Sequence, residues 1–434
     1  MMTRKAVLNT ATLILVILFF ASILSFLDRK LLDILIRPVQ ADTGISDAQF
    51  GLLQGAAFAF TYAVASFPVA YLADRYSSKW VIIWSVVIWS AMTLVFGLAS
   101  SFTVLVLARI GLALGEAGLS PAAISLVRQT FTPDRQATAV AVLTTSVYVG
   151  GGLAMMVGGP ALAALQSHGG SLPFDLEPWR LMFAFCGLLG VLVVALLLFM
   201  PDIRPGQKVR SGARFPEFFQ AIRDQSGPVF TYVMALTGLC AMLYAIMAWT
   251  PAMFLRTFGW SEQETGLAYG AVFTIGGIVG ALGTGRLTGL LKRRGAENAN
   301  VVVIRGATIL LGAATILAVV SPNGRMALAF TGLAMVGVGS LLALGAFGLQ
   351  ALLPKEFSAR AVSMYFLVPG TIGGSFGPSA IPLIHDRLGE AGSTGAAIGL
   401  FTAAMTVWAV FWLTMFLRLP RYRGASAKVA ELAS

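Results

Sequence analysis

Apolar stretches of around twenty residues recur twelve times along this chain, with only short polar loops between most of them. They run approximately over 11–37, 46–73, 80–100, 103–128, 136–166 and 180–200, then 228–255, 264–290, 301–320, 326–352, 360–384 and 395–417. A helix rises ~1.5 Å per residue, so each stretch is long enough to cross a hydrocarbon core of ~30 Å. Only 11% of the 434 residues are charged and 57% are hydrophobic, with a mean hydropathy of +0.82. A soluble domain carries about 25% charged residues, which excludes a water-soluble fold of this length. The expected fold is all-α and polytopic, with twelve transmembrane helices.

The first stretch follows Arg4 and Lys5 in the manner of a signal peptide, but the helical pattern runs on through charged residues to Pro38 and no small-residue cleavage motif follows. It is read as a retained first span. Cys186 and Cys240 sit within apolar runs, which suggests neither a disulfide framework nor a metal site. With the N-terminus in the cytosol, alternate counting puts about two-thirds of the Lys and Arg on cytosolic segments, the asymmetry of the positive-inside rule. The net charge of +11 therefore orients the chain in a cytoplasmic membrane, with both termini cytosolic, and points to no nucleic-acid partner.

Residues 201–227 are basic and punctuated by Pro and Gly, and read as a cytosolic linker between six-helix bundles at 1–200 and 228–434, the latter ending in a short basic tail. The halves resemble each other weakly. "FTPDRQATAV" is answered by "LPKEFSARAV", and "GGLAMMVGGPAL" by "GGSFGPSAI". Pro160 and Pro378 lie 218 residues apart, Pro133 and Pro354 221 apart. Two parallel six-helix repeats around a central cavity are a common architecture of secondary transporters. Glycine, at 47 residues, suits close helix packing in lipid.

Span 4, "LARIGLALGEAGLSPAAISLVRQ", holds Glu116 between Arg109 and Arg128. Excluding Glu116 from the membrane would remove the span and reverse the sidedness of every later loop. An ionisable residue at the bilayer centre costs roughly 2.5 kcal/mol or more, so it should have a partner and a wet cavity. Arg109 lies two turns earlier on the same helical face, and is the partner expected for Glu116. In "FLDRKLLDIL" of span 1, Asp28 has no basic residue three or four positions before it, so its partner should come from another helix, and Arg109 is at a similar depth. Arg29, Asp33 and Arg37 follow at four-residue spacing and are read as a surface ion-pair ladder, with Lys30 snorkelling beside it.

The loop "AYLADRYSSKWVI" resembles the signature loop of the major facilitator superfamily, through Asp74, Arg75 and Lys79, although Ala70, Ser77 and Ser78 depart from the pattern. The resemblance implies a cytosolic gate built from these residues with Asp134 and Arg135 of the loop after span 4. Gly158, Gly159 and Pro160 resemble the superfamily's Gly-Pro motif of span 5, and Gly377 with Pro378 repeats it, which implies helix bending. Asp28–Arg29, together with Arg109, Gly111, Gly115 and Glu116, is similar to the spinster family of the superfamily, whose members include sphingosine-1-phosphate exporters and lysophospholipid transporters with bacterial relatives. That resemblance covers essentially the whole chain. It implies proton coupling at Asp28 and Glu116, with Arg29 and Arg109 as charge partners or substrate head-group ligands. The coupling ion is the proton and no other cofactor is implied.

The second half has no counterparts of these charges. The expected cavity is therefore asymmetric, with protons and a polar head group on one side and an apolar wall on the other. Tyr62, Tyr148 and Tyr365 are candidate lining residues. Such a cavity suits a small amphiphile carried by a monomer in contact with membrane lipid. An exporter or importer of organic anions or drugs is the alternative within transport, and a non-transporting receptor or scaffold the alternative outside it. His168 and His385 fall near span ends or in loops, and no nucleophile–base or metal spacing appears at membrane depth, which argues against an enzyme.

Overall fold

A computed structural model describes residues 4–167, 176–202, 215–296, 298–354, 357–389 and 393–419. Among these, the regular secondary structure is helical. The first part of the chain forms α1 (Arg4–Ile34), α2 (Ile36–Thr43), α3 (Asp47–Gln54), α4 (Ala56–Arg75), α5 (Ser78–Gly97), α6 (Phe102–Glu116), α7 (Leu119–Thr130), α8 (Pro133–Ser167) and α9 (Pro178–Phe199). Then come α10 (Phe215–Asp224), α11 (Ser226–Thr257), α12 (Glu262–Arg293), α13 (Ala299–Val319), α14 (Gly324–Leu352), α15 (Ser358–Tyr365), a π-helical turn at Phe366–Gly370, α16 (Thr371–Leu388) and α17 (Thr394–Arg418). Among the described residues, ten stretches of helix are long and apolar enough to span a membrane. The remaining two of the twelve expected spans correspond to α3–α4 and to α15–α16, each interrupted.

The ends of α1, α6 and α15 share a chemical cause, whereas α3 and α4 part at Gly55. A proline ring lacks an N–H and collides with the carbonyl four residues earlier. α1 ends at Ile34, four residues before Pro38; α6 ends beside Ala117, four before Pro121; α15 ends at Tyr365, four before Pro369. At the last site the chain relaxes into a π turn rather than breaking, a common accommodation of a lost ladder bond. Spans 1 and 4, expected as continuous helices over 11–37 and 103–128, are thus jointed. α8 and α16 run on through Pro160 and Pro378. Several starts are fixed by side-chain caps: Ser101, Asn323 and Ser393 accept from the backbone N–H groups of Val104, Met326 and Ala396.

The chain divides into two compact units. One comprises Met1–Val209 with Pro251–Thr274, the other Arg210–Thr250 with Ile275–Ser434. In the first, α1 packs along α8, and α5 along α6 and α9. Its core includes Trp89, Leu112, Ala113, Leu126 and Leu197, all nearly inaccessible. In the second, α13 packs along α14 and α17. Part of the expected 201–227 linker is helical: α10 belongs to the second unit, where Phe218 packs edge-on against Phe357 and beneath the Arg360 guanidinium.

Candidate functional site

Asp28, Arg29, Lys30 and Asp33 of span 1 and Arg109 and Glu116 of span 4 come together inside the first unit, among α1, α3, α5 and α6. The joint in span 4 places Glu116 as the last residue of α6, where it is 1% exposed. Two glycines bring that joint against α5. A Cβ at Gly115 would stand 2.6 Å from the Trp89 amide nitrogen, and one at Gly118 2.1 Å from Ser85 Oγ. A carboxylate at a helix C-terminus opposes the helix dipole, so Glu116 needs a cation.

Arg29 supplies it. Arg29 Nε lies 3.1 Å from Glu116 Oε2, and a terminal guanidinium nitrogen bonds the same oxygen. Three rings surround the guanidinium: its carbon is 4.3 Å from the centroid of Phe58, 4.9 Å from Phe26 and 5.4 Å from Tyr62. Phe58 and Tyr62 stack on each other at 5.7 Å, one turn apart on α4. This collar gives the cation attractive contacts on the sides that water would otherwise occupy.

Asp28 is 2% exposed and accepts from the hydroxyl of Thr93 on α5. Its Oδ1, like Oε1 of Glu116, is buried without a hydrogen-bond partner. Arg109 is 1% exposed and donates only to neutral acceptors: Leu53 O at 3.2 Å, Arg29 O at 3.3 Å and Gln54 Oε1 at 3.4 Å. The break at Gly55 ends α3 and frees the Leu53 carbonyl, which Arg109 takes up. Neither expected pairing of Arg109, with Glu116 on its own helix or with Asp28 across from it, forms as an ion pair. Asp33 also differs from the expected surface ladder. It is buried, accepts from Lys30 Nζ at 2.8 Å and from Gln54, and pairs with neither Arg29 nor Arg37.

Three carboxylates, three cations and an aromatic collar thus occupy a site deep in the first unit. The Major Facilitator Superfamily profile matches residues 18–378, which encloses every one of these residues. The chain belongs to the major facilitator superfamily. Proteins of this superfamily are transporters, and this one is no enzyme. An "MFS-type efflux pump" of Mycolicibacterium smegmatis is 31% identical over 94% of this chain and 92% of its own. A sphingosine-1-phosphate transporter of Danio rerio is 23% identical over 96% of this chain and 86% of its own. The crystal structure of an inward-facing, unoccupied bacterial homologue of the human lysosomal transporter spinster superposes with a TM-score of 0.75 at 24% identity, covering 96% of this chain and 97% of that one. The spinster resemblance carried by Asp28–Arg29 and Arg109–Glu116 therefore extends to sequence relatives and to the fold.

Other residues singled out in this superfamily member fall in several places. Tyr62 joins the collar. Tyr148 is a core residue, 6.5 Å from the Phe273 ring, and the Tyr365 hydroxyl receives the Cys240 thiol at 3.8 Å in a mainly apolar pocket of the second unit that Leu236, Leu243 and Leu341 also line. The side chains of Asp74, Arg75 and Asp134 lie outside the described residues. Lys79 caps the end of α9, donating to Leu198 O at 2.8 Å and Met200 O at 2.5 Å, and Arg135 is exposed. Gly158 packs on Leu31 of α1, and Gly377 on the backbone of Ala241. Sequence reasoning missed Thr93, Gln54 and Phe58, because a single hydroxyl, amide or ring in an apolar run carries no signal until a neighbouring helix is placed beside it. It also missed a second cluster at the end of the unit opposite the start of α1, where Arg256 grips Asp47 at 2.6 and 2.7 Å and Gln40 at 2.8 Å.

Proposed function

We propose that this protein is a proton-coupled secondary transporter of the cytoplasmic membrane, working by alternating access with both termini in the cytosol. It moves a small anionic amphiphile of the lysophospholipid or sphingoid-phosphate type. One observation supports the coupling above all: Asp28 and Glu116 are both buried, and each keeps one carboxyl oxygen with no donor. Burial away from water favours the protonated form of a carboxyl group, and a nearby guanidinium favours the ionised form. Proton binding at Glu116 weakens its hold on Arg29. The guanidinium, whose side chain is 21% exposed, then takes a phosphate or carboxylate of the substrate. Return of the proton to water restores the pair and releases the anion.

The lipid-like substrate rests on the spinster resemblance and on the lack of matching charges in the second half. A drug or organic-anion exporter is the second reading, favoured by the efflux pump that shares 31% identity with this chain. Proteoliposomes holding the purified protein test both. Lysolipids and sphingoid phosphates are compared with organic anions, first by competition binding and then by substrate-dependent pH change. Glu116→Gln and Asp28→Asn are each expected to fold and to remove the pH dependence of transport. Unchanged proton-driven uptake in both variants would sink the coupling assignment, and a preference for organic anions would move the substrate to the second reading.

A further inference from the structure

We infer that Thr93 is a positioning residue for proton binding at Asp28, acting as a donor switch that serves both protonation states of that carboxyl group. The inference rests on the proton-coupling reading above and adds to it the residue and the oxygen atom involved. Thr93 lies on α5, is 0% exposed, and has two acceptors within reach of its single hydroxyl hydrogen. One is Asp28 Oδ2; the other is the Trp89 carbonyl, 3.0 Å away and one turn earlier on the same helix. One hydrogen serves one acceptor at a time.

With Asp28 ionised, the hydrogen points at Oδ2, because a charge-assisted bond is roughly twice as strong as a neutral one. The Trp89 carbonyl then keeps only its helical bond. With a proton on Oδ2, Asp28 becomes the donor and Thr93 Oγ the acceptor, and the threonine hydrogen turns to the Trp89 carbonyl. Both states are satisfied by rotation about one C–O bond, with no movement of backbone. Oδ1 is buried with no donor in reach, so no comparable hydroxyl switch stands beside it. Oδ2 is thus the oxygen at which one hydroxyl can serve both protonation states. The charged groups that reach Asp28 are Arg29 on α1 and Arg109 and Glu116 on α6, and the neutral Cys186 thiol on α9 also lies within its field. None of these holds a hydrogen bond to Oδ2, so the acceptor role falls to Thr93.

The test follows the carboxyl stretch of protonated Asp28 by infrared difference spectroscopy, on the full-length protein in lipid, titrated with pH alone. Asp28→Asn identifies the band by removing it. Thr93→Ser keeps the hydroxyl and is expected to keep the band position and its midpoint. Thr93→Val removes the donor to the carboxylate, so the band is expected to move to higher frequency and to persist about one pH unit further toward alkaline pH. Thr93→Ala, which also lacks the hydroxyl, gives the same reading if the valine variant does not fold. A wild-type midpoint in both hydroxyl-free variants overturns the assignment of Thr93, as does an equal shift in the serine variant. Failure of Asp28→Asn to remove any titrating band overturns instead the coupling reading at Asp28.

Discussion

Arg29 and Glu116 lie 87 residues apart in sequence, and the guanidinium directs both Nε and a terminal nitrogen at one oxygen, Oε2, leaving Oε1 bare. The pair joins the C-terminal part of α1 to the joint between α6 and α7, where a negative charge has the helix dipole against it. Removing one partner of a buried pair is costly because the other charge stays desolvated. Glu116→Leu is expected to lower stability by about 3 kcal/mol, and Glu116→Gln, which keeps an acceptor oxygen, by about 1 kcal/mol. Thermal unfolding of the purified protein in detergent gives the comparison. A leucine variant as stable as wild type would show that the pair adds nothing to the folded state and serves transport alone.

Arg109 makes a different prediction, because its three bonds run to two carbonyls and an amide oxygen rather than to a carboxylate. A planar fork reaches several acceptors in fixed directions, and a lysine ammonium on a flexible stem does not. Arg109→Lys keeps the charge and loses at least one buried carbonyl bond, so stability falls by about 1–3 kcal/mol. Gln54→Leu breaks the same network from the other side. Because the two residues share a bond, the double variant is expected to cost less than the sum of the singles. Additive losses in the double-mutant cycle would show that the two residues act independently.

Much of the fold was legible because its signals are local. Hydrophobic length marks the spans, and ten of them recur among the described residues as helices long and apolar enough to cross a membrane. The prolines at 38, 121 and 369 act just as locally, four residues upstream through ring chemistry, but hydropathy does not register them. At the site, Asp28, Arg29, Arg109 and Glu116 stood out because charge in an apolar run is expensive. Their pairing did not. Two residues seven apart on one helix share a face, but Arg109 is drawn to the Leu53 carbonyl beside the break at Gly55, which hydropathy does not show. Asp33 is buried rather than on the surface for the same reason, since its partner Gln54 lies on the next span.

Gly159 yields a prediction about packing. A Cβ there would stand 2.1 Å from the Glu262 carbonyl oxygen at the start of α12, and backbone cannot step aside as a side chain can. Gly159→Ala should therefore push α8 from α12 and lower stability by about 1–3 kcal/mol. Gly283, within α12, has nothing within 4 Å of the same position. Gly283→Ala is expected to raise stability by about 0.5–1 kcal/mol, through helix propensity alone. Equal effects at the two positions, measured as apparent melting temperature, would remove the packing argument.

The Arg256–Asp47 pair allows a test of what holds a half-exposed ion pair in place. Asp47 is the first residue of α3, behind a Ser46 capping box, and Arg256 sits in the last turn of α11. Each charge thus stands at the helix end whose dipole favours it. With side chains 26% and 20% exposed, solvent screens the pair, so Asp47→Asn is expected to cost only about 1 kcal/mol, and less as salt is raised. The exchanged variant, Asp47→Arg with Arg256→Asp, restores the attraction but sets both charges against their helix dipoles. Recovery should therefore stay well below half of the loss seen in the single charge reversals. A full recovery would show that pairwise attraction alone holds the two helix ends together, with the dipoles contributing nothing.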